Sequence, residues 1–489
     1  MGDMISLYIL FFLFFAFITL YRFHHGLFLL FLLLPTYLIR FDIGLIPTTL
    51  LEMMIWILCI IWLIKYNRSI IFNLKSLILK YKTFFIASSV FLLGATVAVF
   101  SSLHLKEAAG EWKAFYIEPF LVFLMLVTTI KDQRPGNKEQ KESSNSERQN
   151  LPFPNPYSLF SKTTNIIVLS FILCGLATSV FAIYQHFTGW MVPWSFWQNG
   201  NSYRVTGWYG YPNAVALFLA PIVPLAIYLA KTYYLKLITK KQETLDPGLR
   251  ANKSQSPHHK FKNFEFGTWL LFVSCILYLI TAPLAIYYAK STGGLIGLAA
   301  GIGTLLLIYK KTRWPSVIIG LVGIISILSI PQLGNIKQEV FAQDRSGQIR
   351  VAMWGEALAL LSDRPILGAG LRSYVDRIVP YHTQVNGENI EIFHLQHNLF
   401  LSLWINIGLV GLFGFIWILI SISNIQYSLF KKYKKLPTLH YFLISSIIIM
   451  LVMGLVDTPY MKNDLAVLFW GIIALLLISS YEKLEKFTT

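Results

Sequence analysis

Residues 397–420, HNLFLSLWINIGLVGLFGFIWILI, carry the pattern that decides how this chain folds. His397-Asn398 stands where a polar, arginine-rich segment ends and a long apolar run begins. Gly408 and Gly411 follow at the spacing H-N-x9-G-x-x-G. About 20 apolar residues in a helix are enough to cross a bilayer. The stretch therefore predicts a membrane-spanning helix with a titratable imidazole at its point of entry.

The whole composition agrees with this interpretation. The 489 residues are 55% hydrophobic and only 13% charged, whereas soluble domains carry about 25% charged residues. Backbone exposed to lipid must satisfy its own hydrogen bonds, which favours helices. We therefore predict an all-α polytopic membrane protein with about 12 or 13 spans. The candidate runs are 5–20, 26–38, 48–64, 83–103, 114–130, 164–187, 212–230, 267–289, 294–309, 314–333, 397–420, 438–456 and 464–480.

The Lys and Arg residues of the loops predict the orientation. Placing the lysine cluster 431–435 in the cytoplasm and alternating outwards leaves only 12 of the 41 basic residues outside. The C-terminus is then cytoplasmic, and most of the +17 charge is explained by topology and anionic lipid, not by nucleic acid.

The predicted organisation is 1–130 (helices), 131–163 (disordered cytoplasmic loop), 164–230 (helices around the aromatic external loop 188–211), 231–266 (basic cytoplasmic loop), 267–333 (helices), 334–396 (long external loop) and 397–489 (helices and a short tail).

The predicted external face is rich in arginine. Seven of its 12 basic residues are Arg, and five of those seven lie in the loop 334–396. The planar guanidinium suits phosphate and carboxylate better than a lysine ammonium does. In this loop Arg350 begins an amphipathic pattern that Arg364-Pro365 ends, which predicts a short helix along the membrane surface. Arg350 then either contacts a polyanion or simply extends towards the interface.

Arg204 is the charged residue of the aromatic loop 188–211 and precedes Pro212-Asn213. An arginine beside the bilayer without a partner in its own loop predicts a ligand or a lipid phosphate. The surrounding Trp and Tyr residues are typical either of interface anchors or of side chains that stack on sugars.

His397 is the candidate general base, because an imidazole titrates near neutral pH. The alternative is a structural histidine at a helix N-terminus, and His382 and His394 are nearby competitors. His394 and His397 have i,i+3 spacing, but no carboxylate completes a metal set, so we predict no metal site and no cofactor. Lys113 and Asp457 are polar groups near the hydrocarbon boundary, where charges often have functional roles.

Taken together, these motifs resemble the O-antigen ligase and polymerase superfamily of bacterial membrane glycosyltransferases. The resemblance rests on the His397-Asn398 motif after the long loop and on Arg350-x-x-x-Trp354 with its turn 365–370. It also rests on Arg204 ahead of Asn213 and on the C-terminal hairpin around 457–466. Two features depart from the family: Lys290-Ser-Thr-Gly-Gly stands where a Ser-Arg-Gly turn is common, and the first span is split.

The resemblance implies a GT-C-like architecture in the inner membrane, with the active face on the external side. It further implies inverting, metal-independent transfer of a glycan from a polyprenyl diphosphate to a glycan or lipid-glycan acceptor. By this analogy His397 accepts the proton of the attacking hydroxyl. The substrate-binding residues would be Arg204, Arg350, Lys113, Arg372, Asn398 and Asn213.

Ligase, polymerase and protein O-glycosylation functions all stay open at this point, because they differ mainly in the acceptor. A transporter of a small anion or of a lipid-linked sugar is the alternative from another class. A transporter should carry its charges at the bilayer midplane between broken helices, and a purely structural scaffold would not need an arginine-rich face. The clustering of charge at one face therefore favours the enzyme.

Overall fold

The computed structural model describes residues 2–44, 46–129, 156–198, 203–245 and 258–485. Its helices in the first half of the chain are α1 (Gly2–Tyr21), α2 (Phe23–Leu32), α3 (Leu50–Lys80), α4 (Lys82–Phe100), α5 (Leu105–Trp112), a π-helical turn (Lys113–Ile117), α6 (Glu118–Thr129), α7 (Pro156–Thr188), α8 (Pro212–Leu219) and α9 (Val223–Leu245). Those in the second half are α10 (His258–Tyr288), α11 (Thr292–Ile308), α12 (Lys310–Ser329), α13 (Gly334–Val340), α14 (Arg345–Asp363), α15 (Tyr374–Ile378), α16 (Leu399–Tyr433), α17 (Thr438–Met453) and α18 (Asn463–Glu485).

Short 3-10 turns and two β-hairpins connect some of these helices. Single 3-10 turns lie at Leu34–Leu38, Ser195–Trp197, Ala220–Ile222, Pro331–Leu333 and Val379–Tyr381. Two antiparallel hairpins pair β1 (Arg40–Ile43) with β2 (Ile46–Thr49) and β3 (Gln384–Val385) with β4 (Glu388–Asn389). In the first hairpin Arg40 faces Thr49, and in the second Gln384 faces Asn389.

The prediction of an all-α polytopic membrane protein is confirmed. Within the described residues, nine helical segments are long and apolar enough to cross a bilayer, and four shorter apolar helices of 10–17 residues accompany them. The four shorter helices are Ser6–Tyr21, Phe23–Leu32, Thr292–Ile308 and Thr438–Met453. The two hairpins are the only β-structure in the described part and do not alter the class.

Several helices are longer than the apolar runs predicted. α3 continues to Lys80, past the end of the predicted apolar run 48–64, and α7 begins at Pro156 inside the predicted loop 131–163. α9 and α10 likewise extend into the predicted loop 231–266. The helices continue past the predicted apolar runs at these places, because Lys, Gln, Leu and Glu have good helix propensity and extend a helix beyond its apolar part. The rest of both loops, 130–155 and 246–257, lies outside the described residues.

The most extensive helix–helix contact of the described chain joins α4 and α16. Gly94 meets Gly411, and Phe91 meets Gly414, so the two helices run antiparallel. A Cβ at Gly94 would lie 2.4 Å from the backbone nitrogen of Gly411, and one at Gly414 would lie 2.4 Å from that of Phe91. Small residues at such crossings let backbones approach closely. Gly411, the second glycine of the His-Asn motif, therefore serves this packing.

Gly408, the first glycine of the motif, breaks α16. Its φ of 71° and ψ of 178° interrupt the helix. The carbonyl of Ile405 accepts hydrogen bonds from the amides of Ala369 and Gly370 at 2.7 and 3.2 Å. The amide of Leu409 donates to the carbonyl of Ile366 at 2.8 Å. The turn that follows α14 is thus hydrogen-bonded into the break of a membrane helix.

The loop between α12 and α16 has a small hydrophobic core of its own. Its buried members come from α14, the turn after it, α15 and one residue of α16: Ala357, Leu360, Leu361, Ala369, Tyr374, Ile378 and Ile405. Because Ile405 also belongs to α16, this core fixes the loop on the membrane helices. The helix predicted from Arg350 onwards is present as α14 and begins five residues earlier, at Arg345, where Asp344 caps its N-terminus by accepting from the amides of Ser346 and Gly347. Its position along the membrane surface stays a prediction.

Replacing Gly94 by Ala tests the α4–α16 crossing. Alanine normally favours a helix over glycine by about 0.5–1 kcal/mol, but here the new Cβ would force two backbones apart. We expect Gly94→Ala to lower the free energy of unfolding by about 1–3 kcal/mol, measured as a reduced thermal midpoint of the purified protein.

Gly303→Ala is the matched control, because Gly303 also lies in an apolar helix but a Cβ there meets no atom within 4 Å. It should leave the midpoint unchanged or raise it slightly. Equal effects of the two substitutions would contradict the close contact between α4 and α16.

Candidate functional site

The N-terminus of α16 is fastened to the turn between α17 and α18. Asn398 caps the helix, and its side-chain Oδ1 accepts from the amides of Phe400 and Leu401 at 3.0 and 3.1 Å. Its side-chain amide donates to the carbonyl of Leu455 at 3.0 Å, and the amide of Leu399 donates to the carbonyl of Gly454 at 2.7 Å. These bonds give Asn398 a structural task, and they lend no support to the predicted substrate contact of its side chain.

His397 is turned towards a buried carboxylate. Its backbone has a φ of 48°, in the left-handed region that residues with a Cβ rarely adopt. The imidazole Nδ1 lies 3.4 Å from Oδ1 of Asp457, and the two side chains are 26% and 9% exposed. When Nδ1 carries a proton towards the carboxylate, Nε2 has the free lone pair of the imidazole. The arrangement therefore suits a base oriented by an acid.

Asp457 is held by three partners. Besides His397, its Oδ2 accepts from the side-chain amide of Asn213 at 2.8 Å, and its Oδ1 accepts from the amide of Thr458 at 2.9 Å. Burial alone would raise the pKa of Asp457, but the bond from His397, the Thr458 amide and the positive charge of Arg350 hold this pKa below its ordinary value. The carboxylate is therefore ionised at neutral pH.

Arg204 continues the same chain of hydrogen bonds. One of its terminal nitrogens donates to Oδ1 of Asn213 at 2.9 Å and to the carbonyl of Lys290 at 3.1 Å. Its Nε donates to the carbonyl of Ala289 at 2.8 Å. Burial lowers the pKa of Arg204 to about 10, and the nearby Arg350 acts in the same direction. Arg204 still carries a full charge at neutral pH, and the Lys290 turn positions it through a backbone carbonyl.

Arg350 reaches this cluster from α14. Its charge acts on both Arg204 and Asp457, which places the guanidinium near both. Its Nε is buried and has no hydrogen-bond partner among the described residues. A buried donor without a partner is costly, so this nitrogen is suited to an anionic group that enters the site. The indole of Trp354, one turn along α14, donates to the carbonyl of Gln396 at 2.9 Å and ties the helix to the residue before His397.

The structure therefore brings together four of the predicted site residues, His397, Asn213, Arg204 and Arg350. Within the described chain neither arginine has a carboxylate within 4.0 Å, and Asp457 is an acid whose charge interacts with both. The result is a positively charged site beside a His–Asp pair. Among the described residues, no group of three His, Cys, Asp or Glu side chains has the arrangement of a metal site.

Lys113 and Arg372 are bound elsewhere. The Lys113 ammonium lies 2.8 Å from Oε2 of Glu52, and Arg372 lies 3.5 Å from Oε1 of Glu111. Each predicted ligand-binding cation therefore has a carboxylate of its own, and no contact described here joins either to the cluster around His397. The sequence could not show this, because each pair joins separate segments of the chain.

Sequence reasoning placed Asp457 among several polar residues and did not select it. The signal was the charge in the short break, Asp457-Thr-Pro, between two apolar runs. Lys462, in the same break, was missed. Its ammonium lies 4.0 Å from the ring centroid of Tyr211 and donates to the hydroxyl of Tyr37 at 3.2 Å. Burial lowers the pKa of Lys462 to about 8, although the negative charges of Asp464 and Asp457 act to raise this pKa.

Part of the chain is similar to known proteins. Residues 277–416 match the O-antigen ligase family, over less than a third of the chain and including Arg350 and His397. The resemblance drawn from the sequence is therefore confirmed for that segment. The chain is also 29% identical over 183 residues to an uncharacterized protein of Haemophilus influenzae. That match covers 33% of this chain and 43% of the length of the relative.

The charge of Asp457 should make the stability of the protein depend on pH in the acid range. The pKa of Asp457 in the folded protein lies below its unfolded value of about 3.8–3.9. The stabilisation that the ionised Asp457 provides is therefore complete above the unfolded pKa, and it is lost as the pH falls through the folded pKa. Asp457→Asn should therefore lower the thermal midpoint at pH 7, and its midpoint should approach that of the wild type at low pH.

Asp42→Asn is the control for this measurement, because Asp42 is exposed in β1. It should shift the midpoint little at either pH. A constant difference between Asp457→Asn and the wild type from pH 7 down to acid unfolding would show that the charge of Asp457 is not the cause.

Proposed function

On the basis of the O-antigen ligase segment at residues 277–416, we propose that this membrane protein is a glycosyltransferase of the O-antigen ligase and polymerase type. It transfers a glycan from a polyprenyl diphosphate carrier to a sugar hydroxyl, with inversion and without a metal. The observation that carries the proposal is the arrangement of a His–Asp pair beside two arginines that lack a bound carboxylate.

His397 acts as the general base. The hydroxyl of the acceptor gives its proton to Nε2 as its oxygen attacks the anomeric carbon, and the bond from that carbon to the diphosphate oxygen breaks. Asp457 holds Nδ1 and stabilises the imidazolium that forms, much as a carboxylate orients the histidine of a hydrolase triad. A single displacement from the side opposite the leaving group inverts the configuration of the sugar.

Arg204 and Arg350 bind the diphosphate and stabilise the charge that develops on it. A guanidinium presents planar donors suited to phosphate oxygens. In Arg204 the Nε and one terminal nitrogen already donate to Ala289, Lys290 and Asn213, so its other terminal nitrogen would donate to the diphosphate. Preorganised donors at the position where charge develops often supply the largest part of a rate enhancement. The buried Nε of Arg350, which has no partner in the described structure, is one such donor. Asn213 hydrogen-bonds both Arg204 and Asp457. It thereby fixes the arginine that binds the leaving group relative to the carboxylate that orients the base.

The acceptor decides between ligase and polymerase, and we propose only its chemistry, a glycan or lipid-glycan that presents a hydroxyl. The indoles of Trp190 and Trp194, in the loop before Arg204, are 57% and 63% exposed and are suited to stacking on such a glycan.

The predicted orientation puts the face of the protein that carries these indoles and His397 outside the inner membrane. His397 lies just before a helix, Asp457 in the turn between two helices and Arg204 in a loop. Their placement outside the middle of the helices favours the enzyme over the alternative of a transporter.

Substituting His397 tests the proposed base. With purified protein, a polyprenyl-diphosphate-linked glycan, one acceptor at a time and EDTA throughout, His397→Ala should lower the transfer rate by about 10²–10⁴-fold. His394→Ala, an exposed histidine three residues away, should retain the wild-type rate. Normal transfer by His397→Ala would remove it as the base, and complete loss of wild-type transfer in EDTA would contradict the metal-free proposal.

Lysine substitutions test the diphosphate contacts. Arg204→Lys and Arg350→Lys keep the charge but replace a planar fork with a point charge, so each should reduce kcat by about 10²–10³-fold. Arg345→Lys is the matched control, because Arg345 opens the same helix but is exposed and paired with Glu388. Wild-type rates for both site variants would exclude a bidentate role of these arginines.

A further inference from the structure

A second basic cavity lies at the opposite end of the helices from His397. It has a volume of about 340 Å³ and lies between the α3–α4 junction and the last turns of α16. Because α4 and α16 run antiparallel, the end of α16 that lies beside Lys82 is about nine turns of helix away from His397. The cavity is therefore separate from the site proposed for transfer.

The lining of this cavity is basic and rich in hydrogen-bond donors. Three lysines contribute, Lys80, Lys82 and Lys432, together with the polar side chains of Thr83, Ser421, Asn424 and Ser428. Among the described residues that line it, none is acidic. The site therefore has an excess of positive charge that an anion would neutralise.

Ser421 adds an independent indication of a ligand. Its side chain is 3% exposed, and its Oγ has no hydrogen-bond partner in the described structure. A buried hydroxyl normally bonds back to its own helix or to a neighbour, as Ser423 does to the carbonyl of Leu419 at 2.9 Å. The Ser421 Oγ is therefore buried in the cavity wall with its hydrogen-bonding capacity unused in the described structure, and a rotation of the side chain would let it donate to a polar group in the cavity.

The remaining lining is apolar apart from the hydroxyl of Tyr81, and exposed apolar side chains lie next to it along the chain. Phe84, Ile425 and Leu429 line the cavity beside the polar residues. Leu79 and Phe430, next to it along the chain, are 72% and 46% exposed. A free inorganic anion would use only the basic half of such a site, whereas a phospholipid would use both halves.

We propose that this cavity binds the headgroup of an anionic phospholipid. The phosphate lies among Lys80, Lys82 and Lys432 with Ser421, Asn424 and Ser428 as donors, and an acyl chain follows Phe84, Ile425 and Leu429. Basic pockets between membrane helices near the membrane surface are suited to such headgroups. The lipid connects α3, α4 and α16 at the end opposite the transfer site.

Lipid binding can be measured on the full-length protein without any activity assay, by native mass spectrometry during titration with phosphatidylglycerol. The triple variant Lys80→Gln/Lys82→Gln/Lys432→Gln should weaken binding by about tenfold or more, since each lysine near an anionic lipid contributes roughly a fivefold factor. The matched control, Lys75→Gln/Lys431→Gln/Lys435→Gln, removes the same charge from neighbouring lysines that do not line the cavity. It should bind within about twofold of the wild type.

Two further arms separate the possible sources of binding. Asn424→Trp fills the cavity without changing its charge and should weaken phosphatidylglycerol binding as well. Inorganic phosphate and phosphatidylcholine should compete poorly. Equal losses in the two triple variants would show a diffuse basic surface and overturn the proposal. Full displacement by inorganic phosphate would also overturn it, because the occupant would then be a free anion.

Discussion

The break of α16 at Gly408 is the feature on which the arrangement of the long loop between α12 and α16 depends. A continuous helix would use the Ile405 carbonyl and the Leu409 amide internally. Here both bond to the turn 366–370 instead, at 2.7 and 2.8 Å. Unsatisfied backbone groups are costly in a membrane protein, so the break and the turn require each other. This exchange of hydrogen bonds fixes α14, and with it Arg350, relative to the helix that begins just after His397.

The candidate site is assembled from four separate stretches of chain. Arg204 and Asn213 precede or open α8, Arg350 comes from α14, His397 precedes α16, and Asp457 lies in the turn before α18. Only Asp457 carries negative charge among them, and it is bonded to His397 and Asn213, not to an arginine. The two guanidiniums therefore keep their charge without an internal carboxylate at bonding distance. Such a preorganised positive pair gives up no salt bridge when a phosphate arrives.

The sequence predicted the class of fold well because apolar runs of bilayer length leave few alternatives. Four of the residues that the sequence analysis named as site candidates, His397, Arg204, Arg350 and Asn213, lie together in the structure. Contacts between distant segments could not be predicted. Lys113 meets Glu52 and Arg372 meets Glu111 across about 60 and 260 residues, and no local pattern records those contacts. Helix ends were also misplaced, since helices continue past the apolar residues that reveal them.

The left-handed backbone at His397 has a consequence for engineering this protein. A residue with a Cβ in this conformation costs about 1–2 kcal/mol, and glycine would adopt the same φ without that cost. A search for stabilising substitutions would therefore select this position early. Yet the conformation is what aims the imidazole at Asp457, so the residue that relieves the backbone also removes the ring. Thermostability and the proposed chemistry are in direct competition at this one residue.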